Sequence, residues 1–440
     1  MNEEGTDVDD LVSELVLNDA LEAKSEIFNK ILRLAEESGI FLASIHHFYR
    51  ARGRGEFGGF TVPAINLRTL TYDLARAIFR VAKRNHAGAF IFEIARSEIG
   101  YTAQRPIEYA GVCLAAAIKE GRRGAVFIQG DHFQVNAKKY LKNPQEEIEF
   151  LNNLIREALA AGFYNIDIDS STLVDLSKRG IKEQQRLNFT VCAAFTRFIR
   201  LHQPEGVEVS VGGEIGEIGR KNTTTEELEA FMAGYQEELG SSLEGISKIS
   251  VQTGTSHGGV VLPDGSIARV NLDFDTLRTL SRLAREKFAL AGAVQHGAST
   301  LPEAAFHKFP EVETAEIHLA TQFQNMVYES EYFPEELRKR MYAWLKENHR
   351  TEWEEGETEE QFIYKTRKRA LGQFKNEIMG LKPEIRAAIA AEVEDKIAFL
   401  FTQLNLANTL PLINRYANRQ IMKKKKQKEK ISVNQCLYVI

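Results

Sequence analysis

Three histidines and one glutamate each stand just past an apolar run, beside glycine or a small polar residue. They are His132 in Ile128-Gln-Gly-Asp-His, Glu214 in Val211-Gly-Gly-Glu, His257 in Gly254-Thr-Ser-His-Gly and His296 in Ala293-Val-Gln-His-Gly. Imidazole nitrogens and a carboxylate oxygen suit a divalent ion such as Zn²⁺. A lone histidine is most simply a core or capping residue. Four ligand-type side chains at successive strand ends are a different matter. In a parallel barrel all strand C-termini open onto one face, where the active site forms. Asp131, next to His132, adds a carboxylate of the type used in general acid–base chemistry. The plain alternative for Asp131 is a helix cap or a hydrogen-bond partner to a histidine ligand.

The elements that must position these residues alternate along the chain. Strand candidates are Val62–Leu67, Ala89–Ala95, Ala125–Gly130, Asn165–Ser170, Val207–Gly213, Ile249–Gly254, Phe288–Gln295 and Ala315–Ala320. Segments of helical period lie between them, among them Tyr72–Arg84, Pro106–Glu120, Glu147–Ala160 and Phe274–Glu286. Eight strands alternating with helices predict an α/β fold, a (β/α)8 TIM barrel over residues 61–328. That span is near the usual length of about 250 residues. An open doubly wound sheet is the second choice, but it would gather its ligands at one switch point. Residues 1–60 read as an N-terminal helical segment, and Ala51-Arg-Gly-Arg-Gly-Glu-Phe-Gly-Gly59 breaks it from the barrel. Residues 329–440 read as a charged helical extension ending in a basic tail, Lys423-Lys-Lys-Lys-Gln-Lys-Glu-Lys430.

Composition narrows the class. The chain has 440 residues and 43% hydrophobic content, enough for a large core. A net charge of −5 does not suit a nucleic-acid binder, and the basic tail reads as a solvated end. Cys113, Cys192 and Cys436 are odd in number and widely spaced, which argues against a disulfide framework. The acidic N-terminus lacks the order of a signal peptide. No apolar run approaches the roughly 18 residues of a membrane span. The expectation is a cytoplasmic protein without nucleic-acid or membrane partners.

Taken in order, these motifs resemble the class II, metal-dependent ketose-bisphosphate aldolases, from about Val62 to Gln322. Val62-Pro-Ala-Ile-Asn66 is similar to that family's first strand, and Gly130-Asp-His132 to its Asp-His motif. Asn165-Ile-Asp-Ile-Asp169 is similar to its fourth strand, and Glu214-Ile-Gly-Glu-Ile-Gly219 to its Glu-Leu-Gly segment. Gly254-Thr-Ser-His257-Gly is the nearest match, and His296-Gly-Ala-Ser299 resembles a His-Gly-Gly-Ser loop. The resemblance implies that His132, Glu214, His257 and His296 hold Zn²⁺ or another divalent transition metal, with Asp169 close to it. It implies that Asp131 handles the proton of the C4 hydroxyl. Asn66 and Ser97 match positions near the substrate. Gly258, Gly297, Ser299 and Thr321 fall in small-residue turns, and the loops after strands seven and eight are the usual phosphate site of this fold.

Two departures stand out. The family carries an acid in the loop after the Glu-Leu-Gly strand, which abstracts the carbon-bound proton. Here no acid stands at that offset, and Glu217, Glu226 or Glu227 are the substitutes. The last two also fit the first turn of a helix opened by Thr223-Thr-Thr. His318 stands where the family has asparagine, and Gln129 where it often has histidine. A histidine at 318 can bond a hydroxyl or move a proton near neutral pH. The leading expectation is a Zn²⁺-dependent aldolase that cleaves a phosphorylated sugar such as fructose 1,6-bisphosphate to dihydroxyacetone phosphate and an aldehyde. A metal-dependent C4 epimerase using retro-aldol chemistry is the second. A non-catalytic aldolase-like partner subunit is the third. The helical ends suggest a homo-oligomer.

Overall fold

The computed structural model describes residues 7–216, 221–254, 262–263 and 272–417. Its centre is a closed parallel barrel. The strands are β1 (Val62–Asn66), β2 (Ile91–Ala95), β3 (Ile128–Gln134), β4 (Asn165–Asp169), β5 (Ser210–Glu214), β6 (Lys248–Val251), β7 (Ala293–Gln295) and β8 (Glu316–Leu319). They pair in chain order, and β8 closes on β1. This is the (β/α)8 architecture the alternation predicts.

Helices cover the barrel for reasons written locally in the chain. Thr71–Arg84 buries Leu74, Ala75, Ile78, Phe79, Val81 and Ala82 on one stripe, the pattern of a helix packed on a sheet. Pro106 opens the next long helix, Pro106–Lys119, at a position where a missing N–H costs nothing. The Asn143 side chain caps Pro144–Ala160 by accepting the Glu146 N–H. Cys113 and Cys192 are buried in helices as free thiols.

Several strand boundaries differ from expectation. The third strand was expected to end at Gly130, but β3 runs on to Gln134. Its expected first residues, Ala125 and Val126, instead belong to Gly124–Val126, which pairs with Ile40–Leu42 in a separate two-stranded sheet. β5 starts at Ser210 rather than Val207. The Phe274–Phe288 helix consumes the expected start of β7 and stops where Ala289 turns left-handed at φ 51°.

Segments from both sides of the barrel sequence pack against it. Helix His46–Gly53 lies below, at the strand N-termini. There Tyr49 donates to Glu316, the first residue of β8, and the Ile45 N–H reaches Asn165, the first of β4. The helices after residue 334 return to the barrel wall. Pro383–Gln403 packs on Thr71–Arg84, with Glu394 paired to Arg80 and Arg84. Leu404 O accepts the Thr61 N–H just before β1. Among the described residues, no helix is long and apolar enough to cross a membrane.

Candidate active site

The site is built on an irregularity in β3. Gly130 pairs with Ile166 of β4 and Phe133 with Ile168, so the register shifts between Gly130 and Phe133. His132 takes φ 39°, a left-handed conformation rare outside glycine. In a regular strand Asp131 and His132 would point to opposite faces. The bulge turns both toward the mouth, as bulges beside active sites do. Gly130 makes this possible, since a Cβ there would lie 2.5 Å from the Phe133 ring.

Around His132 the strand ends deliver ligand-type atoms. Its Nδ1 is 3.0 Å from Glu214 Oε2, the end of β5, and 3.3 Å from Asp169 Oδ2, the end of β4. Its Nε2 is 3.8 Å from Asp131 Oδ1. His296, directly after β7, lies with its ring centre 4.1 Å from that of His132, tilted 39° to it, and shares a hydrogen bond with Ser250 Oγ through Nε2. Asp131, His132 and His296 each offer an atom within 4.8 Å of the others, and so do His132, Asp169 and Glu214. Burial opposes a charge on His132, yet Asp131 and Glu214 draw its pKa well above the ordinary histidine range. Burial, then Asp169, pushes Glu214 up to about 7. Buried carboxylates that call for a positive charge between imidazoles suit a divalent ion as well as a proton. The donor set of nitrogen and carboxylate oxygen therefore fits Zn²⁺, Mn²⁺ or a similar ion.

Below this ring lies a charged network that sequence reading missed. Lys248 Nζ, at the start of β6, is 2.9 Å from Asp167 Oδ2 and 2.8 Å from Gln129 Oε1, and pairs with Glu316. His318 of β8 stands on it, with Nε2 2.8 Å from Glu316 Oε1 and Nδ1 2.9 Å from Glu93 Oε2 and 3.2 Å from Asp131 Oδ1. All are buried. Burial and Asp131 push Glu93 up to about 8. Burial would raise Glu316, but Lys248 and His318 hold it at about 2. The available signal was a charge inside an apolar strand, as in Phe90-Ile-Phe-Glu93-Ile and Ala315-Glu316-Ile-His318-Leu.

A cavity of about 570 Å³ opens above these groups. Asp131, His132, His296 and His318 line its floor, and Ser97, Gly297, Ser299 and Thr321 its sides. Ser299 Oγ accepts the Ala320 N–H and ties the loops after β7 and β8 together. Arg68, held by Glu98 and Gln324, adds a cation. Tyr364, Lys365 and Lys368 of the C-terminal helices form the far wall. Asn66, expected near the substrate, is not on this wall; its amide donates to Glu98 Oε2 at 2.5 Å. It reaches the cavity through Glu98, which also binds Arg68. Glu227 is a capping residue: its carboxylate accepts the Thr224 N–H while Thr224 Oγ1 accepts the Glu227 N–H. Glu226 is the exposed neighbour in that first turn. Glu217, His257 and Gly258 lie outside the described residues.

The fold is a parallel (β/α)8 barrel whose imidazoles and carboxylates converge at the C-terminal mouth, where barrel enzymes place their active sites. The profile of Fructose-bisphosphate aldolase class-II matches residues 54–403, and the chain belongs to that family. No curated protein sequence matches it. Among solved structures, the fructuronate-tagaturonate epimerase UxaE from Cohnella laeviribosi is 13% identical, with TM-score 0.60 over 90% of each chain. A probable tagatose 6 phosphate kinase from Sinorhizobium meliloti 1021 is 17% identical, with TM-score 0.53 over 81% of this chain and 93% of the other. Fructose-bisphosphate aldolase Fba from Campylobacter jejuni is 19% identical, with TM-score 0.50 over 84% and 97%. At such identities the likeness is one of fold.

Proposed function

We propose that the chain carries out metal-dependent aldol chemistry on a phosphorylated ketose, most simply cleavage of fructose 1,6-bisphosphate to dihydroxyacetone phosphate and an aldehyde. The observation that carries this reading is the convergence of Asp131, His132 and His296 on one cavity floor. His132 and His296 would hold the ion, with Glu214 and Asp169 beside it. Bound there, a divalent ion would supply Lewis-acid polarisation of the ketone and its neighbouring hydroxyl. Asp131 takes the proton of the C4 hydroxyl. The C3–C4 bond then breaks, the C4 oxygen becomes the aldehyde, and the bonding pair passes toward the ketone carbon. His318, 3.2 Å from Asp131, is placed to carry a proton between that carboxylate and the cleaved fragment. Arg68 and Lys368 give the cavity positive charge for a phosphate.

A second reading, C4 epimerisation by cleavage, rotation of the aldehyde and re-addition, draws support from two features. The C-terminal helices wall the cavity, which favours retention of the cleaved fragment. His318 also provides a proton carrier where the family has asparagine. The likeness of fold to an epimerase fits this reading without deciding it. Incubation with ketose phosphates, with and without chelator, separates the two. Free triose marks the aldolase, and inverted C4 without triose marks the epimerase. Turnover that survives removal of the metal would sink both.

A further inference from the structure

We propose that the barrel holds a second divalent ion, bound by Glu93, Asp131 and His318, with Asp131 standing between it and the ion at His132 and His296. The three residues come from β2, β3 and β8, and their ligand atoms lie within 4.8 Å of one another. Asp131 belongs to both ligand groups, Asp131–His132–His296 and Glu93–Asp131–His318.

Three observations carry the proposal. The first is distance. Ligands about 2.1 Å from an ion and roughly 90–110° apart lie about 3.0–3.4 Å from one another. His318 Nδ1 is 2.9 Å from Glu93 Oε2 and 3.2 Å from Asp131 Oδ1. Despite this closeness, neither approach has hydrogen-bond geometry, and Glu93 Oε1 has no hydrogen-bond partner although Glu93 is fully buried. Two oxygens flanking a ring nitrogen off its N–H direction are arranged as co-ligands of one ion are.

The second observation is the far side of the ring. His318 Nε2 faces Glu316 Oε1 at 2.8 Å. Glu316 is in turn fixed by Lys248, Gln129 and Tyr49. A metal-binding histidine commonly donates its other N–H to an anchored carboxylate, which fixes the tautomer and aims the free nitrogen. Here Glu316 stands beside Nε2 as a close charge partner rather than a hydrogen-bond acceptor, and Nδ1 is the ring nitrogen that faces Glu93 and Asp131.

The third is charge. Inside the barrel Asp167 and Glu316 face the ammonium of Lys248, while Glu93 and Asp131 face the His318 ring. Buried carboxylates in excess need a cation or protons. Two ions sharing a carboxylate clamp adjacent oxygens of a substrate and typically sit about 3.5–4 Å apart. That arrangement suits a polyhydroxy ketone. The proposal rests on the metal-dependent reading of the site but not on whether the chain cleaves or epimerises its sugar; with the second ion bound, His318 acts as its ligand in place of carrying a proton from Asp131.

The test is metal stoichiometry on the full chain. Protein stripped with chelator is loaded with Mn²⁺, freed of excess ion, and measured for bound metal and its electron paramagnetic resonance spectrum. The expected result is two ions per chain with the broadened signal of a spin-coupled pair. Glu93→Gln and His318→Asn should each bind one ion and show an uncoupled signal. One ion per chain in the wild type overturns the proposal, and so does a pair without coupling. Two coupled ions persisting in both variants overturn it as well. If the variants do not fold, the wild-type count and coupling still decide. Aldol or epimerase turnover by a one-ion protein would leave the proposed function standing while removing the second ion.

Discussion

Lys248 shows how strongly this site depends on single side chains. Its ammonium is buried between Asp167, Glu316 and Gln129, and burial alone would lower its pKa, yet the two carboxylates keep it above the ordinary lysine value. Lys248→Met would leave those carboxylates unopposed, at a cost of about 3–5 kcal/mol, the usual range for breaking a buried pair. Urea unfolding of the variant checks this. A loss under about 1 kcal/mol would mean that the fold holds these carboxylates protonated. At this scale the sequence exposes only part of the site. His132, His296 and Asp131 announce themselves because imidazoles and acids beside glycines at strand ends have few structural uses. Glu93, Lys248 and Glu316 do not, because a lone charge inside an apolar run looks like an edge or a solvent-facing position until the barrel closes around it.

The bulge in β3 is the element on which the site turns. The sequence places the strand end at Gly130, so Asp131 and His132 read as lying past it. Backbone pairing with β2 and β4 carries the strand through them. Gly130→Ala would push a methyl group into the buried Phe133 ring. The expected cost is about 1–3 kcal/mol, as for other overpacked cores. Rotation of Asp131 and His132 away from the mouth should also reduce turnover more than tenfold, on the order expected for losing general acid–base catalysis. Thermal unfolding and a turnover assay together check this, and normal turnover in a destabilised variant would show that the bulge is not what aims the two residues. The helices, by contrast, are read well from the chain. Their caps and apolar stripes are local, as at Asn143 before Pro144–Ala160 and along Thr71–Arg84.

At the scale of the molecule, the C-terminal helices are part of the site. Lys368 and Lys365 line the cavity that His132 and His318 floor, although they follow the last barrel strand. Burial, then Arg68 and Arg369, lowers the Lys368 pKa, as expected of a cation kept among cations for an anionic ligand. Lys368→Gln should raise KM for a ketose phosphate about tenfold or more, the worth of one charge-assisted hydrogen bond, with kcat changed far less. The same variant should treat an unphosphorylated ketose as the wild type does. Equal effects on both sugars would assign Lys368 to packing of the extension.

By itself the sequence determined the alternation that makes a barrel and the order of the ligand-type residues around it. Those features follow from periodicity and residue type, which act over a few neighbouring positions. The tertiary structure decided what depends on closure. It bent β3 so that two successive side chains share one face, and set Glu93, Asp131 and His318 from three strands around a single point. It also moved Asn66 behind Glu98 and brought Lys368 over the mouth. Each of these rests on inter-strand register or on burying charges against partners far along the chain, and no local pattern carries that information.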